Sequence, residues 1–285
     1  MEVGRREHAL TVLTLSVQSS MDAIHSWRHV SSMMRQPARR WSFALVIPAI
    51  AACLNVADPD PIPKLPAGGH HVLFIGNSLT YTNDLPGTVS ALARSVNDTI
   101  RTISVSLPNF AVIDHALGLS NAVDVIKSQS WEYVVLQQGP TTTAVNRDTL
   151  IIATQTLDPI VKSSGGRTAL LMAWPQSTSP QLFPLVRASS QAAANSVQGG
   201  VFIPAGEAWR AALEQDPAIP LYGPDGYHPA PLGTYLAALV VYEKVTGHDA
   251  RLLPAVAVVA GVPLSASEQQ VRFLQTVAHA TVASF

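Results

Sequence analysis

Val72-Leu73-Phe74-Ile75 is an uninterrupted apolar run that stops at Gly76 and is followed at once by Asn77-Ser78-Leu79-Thr80. No other segment limits the fold as tightly. A strand with no polar member is covered on both faces, which is the situation of a parallel sheet sandwiched between helices and not of a one-sided antiparallel sheet. In open α/β sheets the ligand crevice lies outside the carboxyl ends of the strands, so Ser78 is delivered to the edge where substrates bind. A helix follows soon after: Leu85, Val89, Leu92 and Val96 recur at helical spacing, Asp84 caps the first turn and Pro86 sits just inside it. We read Ser78 as a nucleophile. Taken alone, the same stretch is also an ordinary strand-to-helix turn with a capping serine.

From His71 onward, apolar runs alternate with helical patterns, which predicts an α/β fold with a mostly parallel five-stranded sheet and helices on both faces. The strands are expected at Val72 to Ile75, Thr102 to Leu107, Tyr133 to Leu136, Ala169 to Trp174 and Val201 to Pro204. The intervening helices fall around 85–96, 147–163, 182–197 and 206–214, and about 30 residues per strand–helix unit agrees with βαβ geometry. Pro231 to Thr246 reads as a helix that buries one face and ends at Gly247. Ser265-Ala266-Ser267-Glu268 reads as a capping box for a last helix carrying Val271, Leu274, Val277 and Ala278. With 47% hydrophobic and 13% charged residues in 285, residues 70–285 suffice for a single domain with a large core.

Near the far end, Gly223-Pro224-Asp225-Gly226-Tyr227-His228-Pro229 places an acid and an imidazole three residues apart in a Gly/Pro-rich loop. A serine hydroxyl is a poor nucleophile until an imidazole takes its proton, and the imidazole needs a partner that fixes its tautomer. His228 suits the first task and Asp225 the second. In isolation Pro-Asp-Gly is a β-turn and His228 a surface residue. The helix from Pro231 follows directly and anchors the loop.

With both motifs in place and in this order, the chain resembles the SGNH (GDSL-type) hydrolases over roughly Val72 to Gly247. The Gly-Asn-Ser-x-Thr form resembles a bacterial branch of that family with a Leu-Gln motif in mid-domain, here Val134-Val135-Leu136-Gln137-Gln138-Gly139-Pro140. The resemblance implies a flavodoxin-like three-layer α/β/α sandwich. It also implies an oxyanion hole built from the Ser78 N–H, a glycine N–H and an asparagine side chain. This chain departs from the family at the last two. The glycine site falls in Leu107-Pro108-Asn109-Phe110, where the Asn109 N–H serves only in a backbone conformation that glycine adopts more easily. The asparagine site falls at Gln137 or Gln138, and either amide is a possible donor. Asn77 replaces the aspartate of the commoner motif. Asn77 and His115 are candidates for the substrate side, with a structural role for His115 as the alternative reading.

Upstream, residues 1–32 show no period and read as a non-native or unstructured extension. Residues 33–53 read as a signal peptide: a basic cluster from Arg35 to Arg40, the apolar run Trp41 to Leu54, then Ile50-Ala51-Ala52-Cys53 resembling a lipobox. The run is shorter than the ~20 residues of a spanning helix. Cys53 is the single cysteine and the candidate lipidation site. Residues 54–69 form a Pro-rich tether. These features predict an exported protein, a periplasmic or cell-surface lipoprotein or else a secreted one, touching a membrane only through that anchor. A formal net charge of −1 and the lack of a basic, aromatic-interleaved run argue against nucleic-acid binding.

Neither the short His/Cys/Asp/Glu spacings of a metal site nor a Gly-rich phosphate loop is present, so no metal and no cofactor are expected. His70 and His71 read as linker residues, and Glu207 and Trp209 as helix starters. The sequence therefore predicts a serine esterase acting through Ser78, His228 and Asp225 on acetyl or other short acyl esters, with carbohydrate among the candidate substrates. The alternatives are a polysaccharide O-acyltransferase with the same triad and a non-catalytic tethered glycan-binding module.

Overall fold

The computed structural model describes residues 61–285; the expected leader, Cys53 and residues 54–60 of the tether lie outside them. Five parallel strands form the central sheet: β1 (His70–Gly76), β2 (Ile100–Ser106), β3 (Tyr133–Gln137), β4 (Arg167–Leu171) and β5 (Val201–Ile203). Their order is β2-β1-β3-β4-β5. Strand order reverses between β1 and β3, and a doubly wound sheet opens its crevice at that switch point. Val72 to Ile75 are wholly buried, as a strand paired on both edges and covered on both faces must be.

The helices are α1 (Ser78–Tyr81), α2 (Leu85–Arg94), α3 (Val112–Ala116), α4 (Ala122–Ser128), α5 (Ala144–Ser163), α6 (Phe183–Asn195), α7 (Ala205–Gln215), α8 (Pro231–Thr246) and α9 (Glu268–Ser284). Helix α5 packs against α3, α4 and α6, while α8 packs against α2, α7 and α9. These groups are the two outer layers of a three-layer α/β/α sandwich. A two-stranded hairpin, β6 (Val258–Val259) and β7 (Val262–Pro263), precedes α9. Among the described residues, no helix is long and apolar enough to cross a membrane.

Three local expectations change, and three short helices appear that were not expected from the sequence. Strand β4 stops at Leu171, not Trp174, because β5 is only three residues long and leaves the continuation without a ladder partner beyond the bond from Met172 N–H to Ile203 O (3.0 Å). Helix α8 does not bury one face: from Leu232 to Glu243 every residue is buried, as a helix apolar all round requires. The capping box of α9 lies two residues further on, with Ser267 Oγ accepting from Gln270 N–H (3.2 Å) and Gln270 Oε1 accepting from Ser267 N–H (3.0 Å). The short helices α1, α3 and α4 carry too few turns to show a period. Asp84 caps α2 as expected, its Oδ1 accepting from Gly87 N–H at 3.0 Å.

Candidate active site

Ser78 is the first residue of α1, placed there by a turn that the side chains of Asn77, Thr80 and Gln137 hold in place. Gly76 is required: a Cβ at that position would come within 2.5 Å of Thr80 Oγ1 and 2.6 Å of Gln137 Oε1. That oxygen accepts from Asn77 N–H (3.1 Å) and from Thr80 Oγ1–H (2.8 Å), so the end of β3 grips the turn that ends β1. Asn77 caps α1 through Oδ1, which accepts from Leu79 N–H (3.1 Å), and its Nδ2 donates to Phe110 O (2.9 Å). The nucleophile's own neighbour thus ties it to the loop before α3. From beneath, His115 Nε2 donates to Gly76 O (2.9 Å), and its Nδ1 accepts from Ser120 Oγ (2.8 Å).

The acid–base pair is held differently. The loop closes on itself through Gly223 N–H to His228 O (2.7 Å) and Gly226 N–H to Gly223 O (3.0 Å), with Gly226 at φ +67°. Asp225 Oδ1 accepts the backbone N–H groups of Tyr227 (3.0 Å) and His228 (2.9 Å), and Oδ2 faces His228 Nδ1 at 2.5 Å. His228 Nε2 lies 2.9 Å from Ser78 Oγ, across 150 residues of sequence. A proton on Nδ1, fixed by the carboxylate, leaves Nε2 as the base toward the serine. The imidazole beside it and the two backbone N–H groups hold the Asp225 carboxyl well below its ordinary value, at about 2.

Three contacts that local sequence does not reveal set this loop against the scaffold. Trp174 Nε1–H donates to Tyr227 O (3.1 Å), and its ring stacks on Trp209 with centroids 3.7 Å apart. Ser177 N–H donates to Gly226 O (2.9 Å). Asn83 Nδ2 donates to Pro229 O (2.8 Å) and Thr234 Oγ1 (3.1 Å), joining the end of the nucleophile's helix to the loop of the base. Only the apolar patch around Ala169 to Trp174 hinted at a buried Trp174, and nothing local marked Asn83.

The remaining candidates separate. Asn109 takes the left-handed conformation expected of it, at φ +63°, and a lone asparagine tolerates that region better than most residues. Among the described residues, neither the Ser78 nor the Asn109 N–H donates to another protein group. Gln138 lines the adjoining cavity, its Nε2 donating to Thr141 Oγ1 (3.0 Å) and its Oε1 accepting from Val112 N–H (3.2 Å). Gln137 is buried, and the Asn77 N–H fixes its oxygen toward the turn; its Nε2 has no partner among the described residues. The open choice between the two glutamines thus becomes one residue on the cavity wall and one beneath the turn. His115 is fully buried, so it does not face substrate, and burial pushes its pKa down. Asn77 is buried too, though it reaches the cavity wall. Glu207 and Trp209 are buried in α7, with Glu207 paired to Arg210 (2.9 Å).

Two cavities flank the site. One of about 540 Å³ is lined by Asn77, Asn109, Gln138 and Tyr227 among others; another of about 680 Å³ is lined by Asp225 and His228. Adjacent loop residues Tyr227 and His228 thus face different cavities. Glu243, Asp249 and His279 lie close enough together to hold a metal ion. Their oxygens are already used: Glu243 Oε2 accepts from Ala250 N–H (3.0 Å) and Asp249 Oδ1 from Arg251 Nε–H (3.0 Å), while His279 Nδ1 sits 2.7 Å from Glu243 Oε1. The cluster reads as a tie between α8 and α9.

No protein-family model and no curated protein matches this sequence. Among solved structures it is similar to a DUF4886 family protein from Bacteroides uniformis, with a TM-score of 0.65 at 17% identity, over 76% of this chain and 95% of that one. It is also similar to a putative SGNH hydrolase from Slackia heliotrinireducens, with a TM-score of 0.50 at 22% identity, over 62% of this chain and 99% of that one.

Proposed function

We propose that this chain, which has the fold of the SGNH hydrolases, is a serine esterase that cleaves carboxylic esters of acetyl or another short acyl group. The observation that carries the reading is the continuous relay from Ser78 Oγ to His228 Nε2 at 2.9 Å and from His228 Nδ1 to Asp225 Oδ2 at 2.5 Å. Residues this far apart in sequence meet in this order because catalysis needs them to; a binding module has no use for all three.

In the first step Ser78 Oγ bonds to the acyl carbon while its proton passes to His228 Nε2. The oxyanion lies against the N–H groups of Ser78 and Asn109, with the Gln138 amide as a further donor on the cavity wall. The C–O bond to the alcohol then breaks and His228 returns its proton to the departing oxygen. Water repeats the sequence on the acyl-enzyme, giving the carboxylic acid and free Ser78. Each oxyanion donor is worth about 3 kcal/mol, or on the order of 100-fold in rate.

Hydrolysis is favoured over acyl transfer by the openness of the pair: the side chains of His228 and Asp225 are 36% and 51% exposed, so nothing keeps water from the acyl-enzyme. Export, with lipidation at Cys53 or simple secretion, is the other part of this proposal and is supported by the Trp41 to Cys53 segment. The test is turnover of 4-nitrophenyl acetate by the chain beside Ser78→Ala and His228→Ala. We expect both variants to stay folded and to lose at least about a thousandfold in kcat. A wild type as inert as the folded variants overturns the reading.

A further inference from the structure

The cavity of about 540 Å³ beside Ser78 has a lining of unusual chemistry: no Asp, Glu, Lys, Arg or His side chain contributes to it. Its single titratable group is the Tyr227 phenol, which burial, with the Asp225 carboxylate nearby, pushes up and keeps neutral. In place of charge the walls carry amides and hydroxyls. The side chains of Asn109, Asn146 and Gln176 line this cavity, all three residues are exposed, and none of the three amides hydrogen-bonds within the described residues. An uncommitted carboxamide offers two donors and an acceptor with two lone pairs, the complement of vicinal hydroxyls. Phe110 and Tyr227 add aromatic surface suited to the apolar face of a sugar ring.

The second cavity, lined by His228 and Asp225, differs on each count. It contains the Asp225 carboxylate and the His228 imidazole, and prolines 224, 229 and 231 make up much of its wall. Its one amide, Asn83, is spent on Pro229 O and Thr234 Oγ1. A ligand that must exchange many hydrogen bonds with water for hydrogen bonds with protein finds uncommitted amides in the first cavity and none in the second.

We propose that the first cavity binds an uncharged glycosyl unit, so that the ester cleaved is an O-acyl group on a neutral oligosaccharide. Asn146, at the start of α5, and Gln176, in the loop after β4, are the specificity-determining residues. This rests on the esterase reading only for the bond that is cut: acyl passes from the sugar oxygen to Ser78 Oγ, the proton of Ser78 goes to the sugar oxygen through His228, and water releases the acid. A sugar carrying a carboxylate is disfavoured, since nothing on the walls can pair with its charge.

The experiment uses the full chain as Ser78→Ala, titrated by calorimetry with an acetylated xylo-oligosaccharide and, separately, with an acetylated oligogalacturonate. The active chain is assayed in parallel on 4-nitrophenyl acetate. We expect saturable binding of the neutral sugar and at least about tenfold weaker binding of the uronate. Adding Asn146→Ala with Gln176→Ala is expected to weaken the neutral sugar about tenfold, as the loss of two ordinary hydrogen bonds predicts. Since neither side chain holds the fold together, Gln176→Ala alone serves as a second check. No binding of the neutral sugar, binding the variants do not move, or equal binding of the uronate overturns the proposal. Turnover of 4-nitrophenyl acetate without sugar binding sinks the sugar site and leaves the esterase standing; sugar binding without turnover does the reverse.

Discussion

Around Ser78 the polar groups are sealed between β1 and β3, whereas around His228 they stand open to water. The first region fixes its turn with side chains that solvent does not reach: Gln137, Asn77 and His115 are 2%, 7% and 0% exposed. The second holds a more exposed pair by backbone hydrogen bonds and by single ties from Trp174, Ser177 and Asn83. Hydrogen bonds in a buried, low-dielectric network are strong and costly to break, so the turn that carries Ser78 is the fixed point of the site. An exposed ion pair contributes little to stability. On the proposed mechanism, Asp225 therefore serves to orient the imidazole more than to hold the fold.

The sharpest way to break this contrast is Asp225→Asn. It should reduce kcat by about 10³ to 10⁴ through loss of the correct His228 tautomer, while the midpoint of urea unfolding stays nearly where it was, as for other surface changes. A large loss of stability would mean that the loop bears structural weight after all. The complementary change is Gln137→Ala, which removes the acceptor for both Asn77 N–H and Thr80 Oγ1. It should cost about 2–4 kcal/mol in urea denaturation, with activity falling as the turn loosens.

Trp174→Phe keeps an aromatic ring against Trp209 but removes the donor to Tyr227 O together with part of the buried ring. A loss of about 1 kcal/mol of loop order, read as roughly fivefold in kcat, is the expected outcome. An unchanged rate would show that Ser177 and Asn83 suffice. The smallest effect lies in pH. His115 has its pKa lowered from 6.5 by burial, so the unfolded chain takes up protons before the folded one does. Its contribution to stability is complete above pH 6.5 and declines as pH falls below it. The melting temperature of wild type should drop more between pH 7 and pH 5 than that of His115→Gln. Asp225, held ionised by the His228 imidazole and two backbone N–H groups, keeps its charge further down, until pH falls toward about 2.

The contrast also explains what could be read from sequence. Strands betray themselves when both faces are covered, so β1, β3 and the parallel sheet were legible from apolar runs alone. Ser78, Asp225 and His228 were legible because their motifs are local, a serine after a strand and an acid three residues before an imidazole. What stayed hidden is what depends on partners distant in the chain. Nothing within a few residues of Gln137 says that it grips Asn77, or that Gln138 is the one turned to the cavity. His115 looked available for substrate until Gly76 O and Ser120 Oγ accounted for both ring nitrogens. Helix α8 shows the same limit: its pattern suggested one buried face, but α2, α7 and α9 enclose it.

On the proposed esterase reading, the distance of 150 residues between Ser78 and His228 also makes ester turnover a reporter of assembly. The exposed turn at Gln198-Gly199 separates the chain into a piece that owns the nucleophile, β1 to β4 and α1 to α6, and a piece that owns the base, β5 and α7 to α9. Opened there, neither piece holds a serine that anything can activate. Colour from a chromogenic ester would arise only when the edge strand β5 finds β4 and carries His228 to its place, so the catalytic signal would count reunited molecules one by one.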